Sequence, residues 1–131
     1  MEFLKVIAAA LGAFAFGAVW YTAMSKPWIK AAGIPVDSAG KPQGNGSAMP
    51  FVVGLVAMIL VAGMMRHVFA ASGIVTLGAG AVSGLGIGAF FIAPWVAMNY
   101  AFAMRPGALT VIDGINAVVG CVIMGAILTL F

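Results

Sequence analysis

Charge is what this sequence has least of. Of 131 residues, six are Lys or Arg, three are Asp or Glu, and there is one histidine and one cysteine. A lone cysteine, Cys121, excludes an intrachain disulfide; sitting mid-span, it reads as a small packing residue. A single histidine and a single cysteine exclude the usual zinc sets. The three acids, Glu2, Asp37 and Asp113, are far apart in the chain and offer no carboxylate pair for acid–base work. No Gly-rich loop joins a strand to a helix to cradle phosphate. These absences argue against an enzyme and imply no metal and no cofactor. The net charge of +3 is scattered rather than gathered into a patch, which implies no nucleic-acid partner. Scattered cations of this kind orient a chain in a membrane.

What is there instead is apolar. Hydrophobic residues make up 64% of the chain and charged ones 7%, against roughly 45–50% and 25% in soluble domains. The charges fence off four uncharged runs, residues 6–25, 42–65, 67–104 and 114–131. About 20 residues at ~1.5 Å rise cross a ~30 Å hydrocarbon layer. The expected fold class is an all-α membrane protein, a compact bundle of four transmembrane helices over residues 4–24, 50–71, 74–104 and 110–131. They form a single domain, 1–131, with a polar or interfacial loop at 25–49.

Local signals place the ends. Trp20 and Tyr21 close the first apolar run at headgroup level, as in a retained span rather than a cleaved leader. Lys26-Pro27-Trp28-Ile29-Lys30 suits a segment lying flat in the interface. Asn45-Gly46-Ser47 formally matches a glycosylation acceptor, a common chance tripeptide in Gly/Ser-rich loops. Pro50 is acceptable at a helix start, and Arg66 and His67 fall in the last turns of that helix, where a cation favours the dipole. The 38 uncharged residues between Arg66 and Arg105 divide at Ser72-Gly73, with Pro94 kinking the longer part. Arg105-Pro106-Gly107 makes the last turn.

Gly80, Gly84 and Gly88 repeat every four residues. At ~100° per residue they share an arc of about 100° with Trp95 and Asn99. This is a helix-packing face, either for contact inside the monomer or for a homodimer seam.

Four spans put the loops holding Lys26, Lys30, Lys41 and Arg105 on one side, and Lys5 and Arg66 on the other. By the positive-inside rule both termini face away from the cytoplasm. The cytoplasmic end then gathers a polar interfacial cluster of Trp20, Tyr21, Asn99, Tyr100, Arg105, Asp113 and Asn116. Asp113 is the one acid set within an apolar pattern, where an ionisable residue faces the bundle interior with a partner. Two readings stand: a structural acid that satisfies first-turn amides or pairs with Tyr21, Asn99 or Arg105, or a coupling or ligand-contacting carboxylate. On a helical wheel Asp113 shares a stripe with Ala117, Gly120 and Met124.

The chain resembles a family of small bacterial four-helix membrane proteins, domain of unknown function 1761. The matching segments are Gly17-Ala18-Val19-Trp20-Tyr21 followed by Lys26-Pro27-Trp28, Asn99-Tyr100, Ile112-Asp113-Gly114, and Ile123-Met124-Gly125-Ala126-Ile127. The resemblance implies an architecture and no activity. Two functions remain open. One is a structural or accessory inner-membrane subunit that self-associates or docks on a larger complex, its partners being lipids and other membrane helices. The other is a small oligomeric transporter or channel with Asp113 as coupling acid and Asn99 and Trp20 lining its site. A lipid- or pigment-binding role rests on the aromatic belt alone.

Overall fold

The computed structural model describes residues 2–40 and 48–131; Lys41, Pro42 and the Asn45-Gly46-Ser47 tripeptide lie outside the described residues. Within them the chain forms α1 (Glu2–Ala23), α2 (Ser25–Ala32), α3 (Met49–Ser72), α4 (Leu77–Ile87), a π-helical turn (Gly88–Ile92), α5 (Ala93–Phe102) and α6 (Gly107–Leu130). Helix α4, the π turn and α5 run on as one rod. Four rods, Glu2–Ala23, Met49–Ser72, Leu77–Phe102 and Gly107–Leu130, are long and apolar enough to cross a membrane. The all-α membrane architecture is the one the chain adopts, with no strand among the described residues.

Three boundaries differ from the expected ones, each for a local reason. The 25–49 segment contains α2, a short amphipathic helix that Gly33 ends in the left-handed conformation at φ 71°. The third span begins at Leu77 rather than Ile74 because Thr76 caps it, its side chain accepting the Ala79 amide at 3.2 Å. The fourth begins at Gly107 rather than Thr110, since Pro106 holds the extended cap conformation and nothing after it interrupts the helix. Asp113 is therefore the seventh residue of α6, beyond the reach of its first-turn amides.

The core lies at one end of the bundle. Val6, Ala9, Ala10 and Ala13 of α1 meet Ala62, Met65 and Phe69 of α3 and Cys121, Met124 and Leu128 of α6. In lipid this packing is driven by close van der Waals fit, which the alanines permit. At the same end Glu2 pairs with Arg66 and, at 3.4 Å, with Lys5. The first two turns of α3 stay outside this core, which Met58 and Ile59 are the first to pack against; Phe51, Val52, Val53 and Val56 are exposed. The bundle is closely packed around this core and parted at the end that holds Phe51, although Leu109 and Ile112 of α6 are buried there.

Helix α4 packs along α6 through its glycines. A Cβ on Gly80 would lie 2.4 Å from the Gly125 carbonyl oxygen, one on Gly84 2.1 Å from that of Cys121, and one on Gly88 2.6 Å from the Val118 Cα. The Gly80–Gly84–Gly88 face is thus occupied inside the protomer. The contact then passes to Ala93, whose Cβ lies 3.9 Å from a Cβ on Gly114. The step is four residues up to Gly88 and five across the π turn.

That extra residue corrects the shared arc expected for Gly80, Gly84, Gly88, Trp95 and Asn99. Pro94 has no N–H to give the carbonyl four residues back, and the Ala93 N–H bonds Gly88 instead. One added residue turns everything after it by roughly 100°. Ala93 and Tyr100 take the places that Ile92 and Asn99 would hold on an unbroken helix. Trp95 and Asn99 end up exposed.

Candidate functional site

At the parted end, three helices converge on Asp113. Tyr21, near the end of α1, donates its hydroxyl to Oδ1, and Tyr100 on α5 donates to Oδ2. Both carboxylate oxygens thus act as acceptors. One residue earlier on each helix, the Trp20 indole N–H donates to the Ile112 carbonyl at 3.0 Å. Phe16 stacks on Trp20 at 6.1 Å and holds the indole in place.

The remaining members of the cluster fall into three places. Arg105 donates to the Ala32 carbonyl, tying the entry of α6 to the last turn of α2. Asn116 lies on the inner side one turn past Asp113; a Cβ on Gly17 would stand 3.4 Å from its Oδ1, so the glycine leaves room for the amide. Asn99 is exposed and does not reach the carboxylate.

Between α1, α2, the first half of α3 and α6 lies a cavity of about 1080 Å³. Its walls are mainly apolar, with Phe14 and Ala13 from α1 and Phe51, Gly54 and Met58 from α3. Its polar end carries Tyr21, Tyr100, Asp113, Asn116 and Arg105. Apolar walls with a few convergent polar groups are the usual form of a small-molecule site.

One wall went unread in the sequence. Ser25, Trp28, Ile29 and Ala32 of α2 line the cavity, and Trp28 packs edge-on against Tyr21 at 5.8 Å. The signal was present: these four recur at helical spacing on one side, while Lys26 and Lys30 lie on the other, exposed side. The share of α3 had no such signal, because an apolar residue in a span reads alike whether it meets lipid or a cavity.

Electrostatically the site is uneven. Among the described residues no cation pairs with Asp113. The other formal charge in the walls, Arg105, is directed at α2. No group of three potential metal ligands occurs among the described residues.

No curated protein and no solved structure matches this chain. A match does exist to one protein family, and it runs over residues 4–129, from the start of α1 to the end of α6, taking in every residue of the site. The chain therefore belongs to the family described as protein of unknown function (DUF1761).

Proposed function

We propose that this protein is a small membrane carrier that takes up its ligand at the parted end of the bundle, with Asp113 as the binding and coupling acid. The observation that carries the reading is a cavity of about 1080 Å³ with a carboxylate in its wall and no cation paired to it among the described residues. Depth supports it as well. Asp113 lies six residues past the first residue of α6, roughly 9 Å into the span at ~1.5 Å per residue. The α1–α3–α6 core fills the far end of the bundle, so this reading has the ligand enter from the parted end.

On the sequence count of cations, the open end faces the cytoplasm of an inner membrane and both termini lie outside. A C-terminal reporter active only in the cytoplasm tests this orientation. Four spans enclose no continuous pathway, so the reading includes self-association. An accessory role by contrast draws on free small-residue faces, and α6 already occupies Gly80, Gly84 and Gly88.

The test is reconstitution. Liposomes containing the protein should show proton or solute flux that Asp113→Asn abolishes. Flux that persists in that variant sinks the mechanism.

A further inference from the structure

We infer that the cavity binds a lipophilic organic cation, its positive charge at Asp113 and its apolar body among the aromatic rings of α1, α2 and α3. The inference rests on reading this cavity as a carrier's binding site, and it adds the ligand class.

Three observations carry it. The first is charge. The donors on the Asp113 carboxylate are two neutral hydroxyls, which orient the group without balancing its charge. In a low-dielectric site an unbalanced carboxylate attracts a cation strongly, whereas an anion would meet it unfavourably. Arg105 keeps its own charge, but its guanidinium is held at the Ala32 carbonyl, at the junction of α2 and α6, rather than at the carboxylate, so the attraction for a cation is local to Asp113.

The second is the lining. Phe14, Trp28 and Phe51 stand in the walls beside Tyr21 and Tyr100. Ring faces attract cations electrostatically and pack against an apolar body, and Trp is the best of them. A small hydrated metal ion would gain little from such walls, and among the described residues no set of carboxylates or imidazoles could replace its water shell.

The third is size. About 1080 Å³ is at the upper end of drug-sized pockets, far more than a proton or an inorganic ion needs. The room comes from residues with little or no side chain, Gly17 and Ala18 on α1 and Gly54 on α3. Near Gly54 a Cβ would meet only the edge of Phe14, at 3.4 Å, so a longer side chain there would project toward the space.

The probe pair is tetraphenylphosphonium and tetraphenylborate, nearly the same shape with opposite charge. Purified protein in detergent micelles is titrated with each, and binding is followed by quenching of tryptophan fluorescence. Saturable binding of the phosphonium and not of the borate is the expected result. Asp113→Asn should weaken the phosphonium by at least ~10-fold. Gly54→Leu, which fills the cavity from α3 without touching the carboxylate, should remove its binding. Equal affinity for the two ions, or phosphonium binding unchanged in Gly54→Leu, overturns the inference. Phosphonium binding without translocation in liposomes keeps the cation site and overturns only the carrier. Asp113-dependent proton flux with no phosphonium binding does the reverse.

Discussion

Tyr100 and Asp113, 13 residues apart in the chain, meet through a direct hydroxyl–carboxylate hydrogen bond, and they meet because of a π turn. Without the extra residue in Gly88–Ile92 the side chain presented to α6 at this level would be Asn99. The turn is thus the device that supplies the second tyrosine to the carboxylate. Single π turns of this kind are frequently found at functional sites.

The register is directly checkable. In a Cys121→Ala background, the pair Ala93→Cys and Gly114→Cys should form a disulfide readily. Its Cβ positions are 3.9 Å apart, inside the ~3.5–4.5 Å that a disulfide needs. The control pair Ile92→Cys with Gly114→Cys should cross-link poorly. The reverse preference, read by gel mobility after mild oxidation, would mean that the helix is regular through this point.

The two tyrosines share one acceptor group, so their removal should be non-additive. Tyr21→Phe and Tyr100→Phe should each cost about 0.6–1.7 kcal/mol, the range of hydrogen bonds between membrane helices. The double variant should cost more than the sum, by at least ~0.5 kcal/mol, since the carboxylate then loses both donors. Reversible unfolding in mixed micelles measures all three. Strict additivity would indicate that water in the cavity replaces the hydroxyls.

Glycines on the two sides of α4 should behave oppositely. Gly84→Ala puts a methyl 2.1 Å from the Cys121 carbonyl oxygen, backbone that cannot swing aside. It should cost ~3 kcal/mol or more, the upper range of overpacking. Nothing lies within 4 Å of a Cβ on Gly78, and Gly78→Ala should be neutral or stabilising by roughly 0.5–1 kcal/mol. Thermal unfolding of both variants in the same detergent decides it.

Met104 carries the one positive φ outside glycine among the described residues, 56°. It occupies the left-handed position that closes α5: the Arg105 amide reaches back to the Tyr100 carbonyl at 2.9 Å and the Met104 amide to that of Ala101 at 3.2 Å. Met104 is also 90% exposed, so its side chain does little packing in return. Met104→Gly should raise the unfolding midpoint, by roughly 1 kcal/mol of stability. An unchanged or lowered midpoint would show that the side chain has an unseen partner.

How much of this was legible follows from particular residues. The spans were, because lipid cannot solvate a bare backbone and long uncharged runs have few alternatives to helix. Asp113 stood out for the same reason, as a carboxylate inside such a run. The π turn was not, since Gly88, Ala89, Phe90, Phe91 and Ile92 are equally apolar at four or five residues per turn. Nor was the partner of the glycine face. That depended on Gly125, Cys121 and Val118 lying opposite it on α6, while Gly120, on the stripe shared with Asp113, turns instead toward Ala13 of α1.

The sequence by itself determined how many times the chain crosses and which residues are polar at each end. Those properties are set residue by residue, through the cost of placing charge or unpaired backbone in hydrocarbon. Only the tertiary structure decided which polar groups touch, that Tyr100 and not Asn99 serves Asp113, and that α3 parts from α1 to leave a cavity. These are matters of shape between surfaces distant in the chain. Within lipid every apolar face is equally soluble, so hydropathy carries no record of which of them are paired.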